Sequence, residues 1–152
     1  MFNLFNRKSS IEKKYEFRTR DLTITLEPGW VESQFEETQF DNPLTFVKDQ
    51  SGSGALQISL ATAKKGEKFD IHKSLEKNNR SHIDKINKYN LREWTVFEYE
   101  DNRDGMFIKF FDFIKLNVHM FVTYTTTLGH LNKKELEEAI KIIKSIKVIS
   151  RN

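Results

Sequence analysis

Between Gly105 and Gly129 the chain reads GMFIKFFDFIKLNVHMFVTYTTTLG, which holds five of its thirteen phenylalanines. Apolar residues occupy both parities. Met106, Ile108, Phe110, Ile114, Val118, Met120 and Val122 form an even set, and Phe107, Phe111, Phe113 and Phe121 form an odd one. A strand with one wet face alternates, so strands that are apolar on both sides belong in the middle of a sheet with a layer above and below. The stretch invites three readings: membrane anchor, aromatic ligand site or packed core. Lys109, Asp112, Lys115 and His119 interrupt it well short of the roughly eighteen uncharged residues that a membrane helix requires. Apolar pockets often carry aromatics, but an aromatic-rich strand pair is more often core, and core is the expectation. The two strands should reverse near Lys115-Leu116-Asn117, with Asn117 suited to a left-handed turn. Asp112 shares the parity of Phe110 and Ile114. Either it is buried and needs a partner, or a bulge near Phe110-Phe111 turns it outward; both readings stay open.

Elsewhere the periods are simpler. LTITLEPGW alternates Leu22, Ile24 and Leu26 with Thr23 and Thr25 and closes on Pro28-Gly29, a strand followed by a tight turn. PLTFVKDQSGSGALQISLAT reads as a hairpin, with Phe46 and Val47 before the DQSGSG linker and Leu56, Ile58 and Leu60 after it. In DIHKSLEKNNRSHIDKINKY the period becomes helical: Asp70 caps, Ile71, Leu75, His82 and Ile86 share a thin apolar face, and Lys73, Lys77, Arg80 and Lys88 lie opposite. WTVFEYED is a further strand. The closing helix has Asn132 as N-cap with Glu135 three residues on, a capping box, and Leu131 and Leu136 as its hydrophobic staple. Its buried face is expected at Leu136, Ala139, Ile140, Ile143 and Ile146, with acids early and lysines late as the helix dipole prefers.

A chain of 152 residues without repeats or low-complexity segments suggests one domain. Residues 1–14 read as an N-terminal extension, 15–149 as the domain and 150–152 as a tail. The chain has no Cys, which removes disulfides, thiolate metal sites and thiol nucleophiles and suits a reducing cytoplasm. MFNLFNRKSSIEKK lacks an apolar run of signal-peptide length, so cytoplasmic localisation is expected. A net charge of +3 without a basic run argues against nucleic acid. The charge is unevenly placed: Glu27 to Asp41 holds five acids and no base, and Lys64 to Arg92 holds nine bases against four acids.

No catalytic, cofactor or metal signature emerges. His72, His82, His119 and His130 offer no i, i+4 pair for zinc and read as surface and edge residues. Ser51-Gly52-Ser53-Gly54 lacks the following helix, Lys and Ser or Thr of a phosphate loop, so turn chemistry explains it. There is no G-x-S-x-G elbow. Paired acids such as Glu36-Glu37, Glu98-Glu100-Asp101 and Glu137-Glu138 would need a concave site that separates their pKa values. Trp30 and Trp94 read as core plugs before interface anchors. The feature weighed most for function is the acidic arc of Glu32, Glu36, Glu37 and Asp41, in a strand-and-loop region where binding surfaces concentrate; complementary potential would favour a basic partner.

The element order, with LEPGW, GALQISLAT, VFEYED, FVTYTTT and a closing helix ending in SIKV, resembles the PsbP-like sandwich over residues 15 to 149. That superfamily includes photosystem extrinsic proteins, a Ran-binding nuclear import factor and bacterial chaperones of type VI secretion effectors. The chain looks nearest to small bacterial members, some of them neighbours of toxin systems. The resemblance implies an α+β single-domain sandwich: a central, mainly antiparallel twisted sheet flanked by helices. It brings no catalytic motif and implies a binding role. The first expectation is thus a non-catalytic protein-binding module, an immunity protein or adaptor, using the acidic arc on a basic partner. The alternative is a secretion chaperone or carrier that takes an apolar helix or ligand against the aromatic sheet. A third, hydrolase, requires a polar pocket with converging His and acids.

Overall fold

The computed structural model describes residues 9–16, 20–33, 44–49, 53–62 and 66–150. In chain order the elements are β1 (Ile11–Glu16), β2 (Arg20–Leu26), β3 (Trp30–Glu32), β4 (Leu44–Lys48), β5 (Ala55–Thr62), α1 (Ile71–Lys77), β6 (Asn87–Leu91), β7 (Trp94–Arg103), β8 (Met106–Lys115), β9 (Val118–Thr127), α2 (Lys133–Lys144) and β10 (Lys147–Ser150). The fold is mostly antiparallel sheet. Seven strands run in the order β3-β4-β5-β9-β8-β7-β6, and β1-β2-β10 form a smaller sheet.

β8 and β9 are central, as their two-sided apolarity requires. Three consecutive hairpins build this half of the sheet, pairing β6 with β7, β7 with β8 and β8 with β9. The β7–β8 turn uses Asp104 (φ 52°) and Gly105 (φ 77°), the Asp-Gly chemistry that a tight hairpin favours. The β8–β9 turn differs from expectation: Leu116, 90% exposed, takes the left-handed φ of 51°, a conformation that costs a residue with a Cβ about 1–2 kcal/mol. Because only two residues separate β8 from β9, even positions on one strand face odd positions on the other. Phe113 pairs with Met120, Phe111 with Val122 and Asp112 with Phe121. The even set read from the sequence is therefore split between the two faces.

One face carries Phe107, Phe111, Phe113, Val118, Met120, Val122 and Tyr124, packed with Leu22, Ile24 and Leu26 of β2 and Ala139, Ile142 and Ile143 of α2. Trp30 and Trp94 are buried in this core. The other face carries Tyr99 and Phe110 with Ile71 and Leu75 of α1, bordered by Phe69, Ile83, Ile86, Phe97, Ile108 and Phe121. The phenylalanines of the strand pair are core.

Three boundaries differ from the sequence reading. α1 stops at Lys77 instead of running to Ile86. Asn79 adopts φ 58°, its N–H donates to Glu76 O (3.1 Å), and Arg80 N–H donates to Leu75 O (2.7 Å), the paired bonds that end a helix on a left-handed residue. α2 stops at Lys144, and the Lys147–Ser150 segment is a strand paired with β2 instead of a helix end. β1 pairs with β2 from Ile11 onward, so sheet structure begins inside the stretch read as an extension. The buried face of α2 is also rotated, taking in Glu135 and Ile142.

Candidate functional site

The acidic arc is seen only at its first residue. Glu32 ends β3, the terminal strand of the large sheet, and its carboxylate accepts a 3.3 Å bond from Tyr15 Oη on β1. Burial, with Glu32 beside it, pushes the Tyr15 hydroxyl up to about 12. Glu36, Glu37 and Asp41 lie outside the described residues. Glu27, at the start of the same acidic stretch, is paired with Lys141 of α2 at 3.2 Å.

The chemistry that the fold brings together lies elsewhere, on the α1 side of the sheet. Asp112 is fully buried, and register is unbroken through Phe110, Phe111 and Asp112 on both sides, so there is no bulge to turn it outward. Its carboxylate is satisfied from the neighbouring strands: Tyr99 Oη donates to Oδ2 at 2.7 Å, and His119 Nε2 stands 2.6 Å from Oδ1. Tyr99 sits on β7 and His119 on β9, flanking Asp112 on β8. A buried carboxylate with two such partners is far less costly than an unpaired one. Burial, reinforced by Asp112, holds the Tyr99 hydroxyl protonated well above the usual tyrosine range. His119 is therefore no plain edge histidine.

His119 borders an open cleft of about 440 Å³, with Ala61 and Thr62 of β5, the loop Glu67–Asp70, Lys73 and Lys77 of α1, and Ile114 and Val118 of the β8–β9 hairpin. Phe69 lies over the imidazole at a centroid distance of 4.8 Å. With Asp112 accepting from Nε2, Nδ1 is the ring atom left for anything that enters.

A second buried acid, Asp101 on β7, ties down the chain that follows α1. His82 Nε2 stands 2.9 Å from Oδ1, and the guanidinium groups of Arg80 and Arg103 lie at 3.7 Å. Arg103 also donates to Asn79 O (2.5 Å), and Arg80 stacks over Phe110 at 4.8 Å. These contacts draw His82 away from the helical face expected of it and explain why residues 80–86 follow β7 and not a helix axis. Beside them a recess of about 650 Å³ is lined by Asp84, Glu98, Glu100, Asp101 and Lys109. Lys109 pairs with both Glu98 (3.1 Å) and Glu100 (3.3 Å).

Glu135 was expected to close a capping box. Half of that holds: Asn132 Oδ1 accepts from Glu135 N at 3.0 Å. The carboxylate itself is buried and accepts from Ser53 N (3.1 Å), Gly54 N (3.2 Å) and the hydroxyl of Tyr124. The Ser-Gly linker thus presents its N–H groups to an anion, and that anion is the chain's own. Among the described residues there is no group of three or more His, Asp or Glu placed to hold a metal ion. No helix among them is long and apolar enough to cross a membrane.

No protein-family model matches the sequence, and no curated protein matches it. Solved structures do match. The solution structure of cyanobacterial PsbP (CyanoP) from Synechocystis sp. superposes with a TM-score of 0.62 at 8% identity, covering 98% of each chain. A crystal structure from Bacteroides thetaiotaomicron superposes with a TM-score of 0.54 at 18% identity over 86% of this chain, which spans 45% of that protein's length. The chain has a PsbP-like fold.

Proposed function

We propose that the protein is a non-catalytic protein-binding module, an immunity protein or adaptor working in the cytoplasm, and that Glu32, Glu36, Glu37 and Asp41 contact a basic partner. On this reading the domain is a sandwich with helices on both sides of the large sheet, and the two faces of that sheet serve as scaffold. The observation that supports it is the position of Glu32. The acidic arc starts with Glu32 on β3, the terminal strand of a seven-stranded sheet. Among the described residues its outer side has no ladder partner, and there an extended segment of another protein can add. Acids running on from that strand would favour a partner with Lys or Arg.

The carrier alternative would need α1 to leave the sheet, because Ile71 and Leu75 cover Tyr99 and Phe110. The Asp112–His119 pair supplies the acid and imidazole that a hydrolytic reading asks for. In a binding module the pair fixes the imidazole, and Asp112 is buried.

Affinity capture from source-cell lysate with the whole chain as bait tests the proposal, at low and high salt and with Glu36→Lys/Glu37→Lys beside the parent chain. The expected result is a basic protein that is held at low salt, released at high salt and lost by the charge-reversed variant, whose circular dichroism is unchanged. Capture that survives the reversal unchanged would sink the acidic arc, and capture of nothing would sink the binding-module reading.

A further inference from the structure

The His119 cleft combines two exposed lysines with an apolar wall and a fixed imidazole. Lys73 and Lys77 stand four residues apart on α1 and both line it; like charges at that spacing repel. Neither forms an ion pair with another described residue. Of the acids that also line the cleft, Asp70 spends its carboxylate on the first N–H groups of α1, accepting from His72 N (3.0 Å) and Lys73 N (3.3 Å); Glu67 is the other. His119 borders the same cleft. Asp112 is 0% exposed and holds Nε2 at 2.6 Å, Tyr99 holds the other carboxylate oxygen at 2.7 Å, and Phe69 packs on the ring, so the imidazole is fixed before any ligand arrives. The recess at Asp101 differs in that its Lys109 is paired with Glu98 and Glu100.

We propose that this cleft binds a small organic monoanion with an apolar body, an aromatic or short aliphatic carboxylate. Its carboxylate would lie between Lys73 and Lys77, and its body against the His119 ring, Phe69, Ile114 and Val118. A volume of about 440 Å³ suits such a molecule. The site is separate from Glu32, the described residue of the acidic arc. It lies where Thr62 pairs with Val118, whereas β3 meets β4 at Phe46 to Lys48, beside the Ala55 end of β5.

Two-dimensional amide spectra of the full chain, titrated with benzoate, with benzyl alcohol as neutral control and with inorganic phosphate, test the proposal. Benzoate is expected to give saturable shifts confined to residues 61–62, 67–78 and 114–119, with a Kd of about 1 mM or tighter. Lys73→Glu/Lys77→Glu should weaken it by about tenfold or more while the rest of the spectrum stays in place, and benzyl alcohol should shift the same residues less. His119→Gln, which can still donate to Asp112, should weaken binding without unfolding the chain. Absence of saturation, an undiminished response in the double-lysine variant, or phosphate matching benzoate residue for residue would each overturn the proposal. Capture of a basic partner should be unaffected by the lysine variant, so either proposal can fail without the other.

Discussion

Gly54 is held to glycine by space and not by its backbone angles. A Cβ built there would stand 2.6 Å from Tyr124 Cε1, with the ring's hydroxyl nearer still, and Tyr124 is fully buried between the Trp30 ring and the Glu135 carboxylate. The ring cannot retreat without giving up its bond to Glu135, which in turn holds Ser53 N and Gly54 N. Gly54→Ala is therefore expected to lower stability by about 2 kcal/mol, within the usual cost of overpacking a core, as read from the midpoint of a urea unfolding curve. A change of less than a few tenths of a kcal/mol would mean that Tyr124 is not fixed as described. This contact was not legible in the sequence. Turn chemistry accounted for Ser51 to Gly54, and Glu135 was claimed by its spacing from Asn132, but nothing in either segment says that they meet. Asp112 was legible as an anomaly, a carboxylate among phenylalanines. Its partners were not, because Tyr99 and His119 become its neighbours only through strand register.

Elements followed local chemistry where local chemistry decides. The strand before Pro28-Gly29 ends as its turn residues dictate, with Gly29 at φ 87° and Trp30 N bonded to Glu27 O, and the hairpin of β4 and β5 follows its alternation. α2 starts where Asn132 caps it. Where the reading failed, a longer-range contact or an unlikely residue intervened. The face containing His82 and Ile86 continues the period of Ile71 and Leu75, yet Asn78-Asn79 ends the helix and Asp101 gathers Arg80 and His82 onto β7. Asn79 in the left-handed region is the signal that would have marked that end. No propensity argument would place Leu116 in that region ahead of Asn117, and the parity of the whole strand pair hangs on that turn. β10 is too short to declare itself, and it exists because β2 is there to pair with it.

At the scale of the molecule, all four tyrosines donate their hydroxyls to carboxylates: Tyr15 to Glu32, Tyr89 to Glu98, Tyr99 to Asp112 and Tyr124 to Glu135. Burial first, and the adjacent carboxylate next, raise every one above its ordinary value near 10. Above pH 10 an unfolded chain would release these protons while the folded chain keeps them. The folded state then binds more protons, so stability is intact below pH 10 and falls as pH rises beyond it. Phenolate absorbance is expected to stay low past about pH 11 and to rise together with loss of circular dichroism; a simple titration centred on 10 with the fold intact would contradict these pairings. The aromatic stretch packs against β2 and α2 on one face and against α1, Ile83 and Ile86 on the other. Native-state hydrogen exchange of the β8 and β9 amides tests it most directly. Amides of Phe110 to Phe113 and Met120 to Val122 are expected to exchange only through global unfolding, with the same denaturant dependence as the unfolding transition. Exchange of those amides through a low-energy opening, in step with amides of α1, would contradict it and would favour a carrier whose helix lifts to admit an apolar guest.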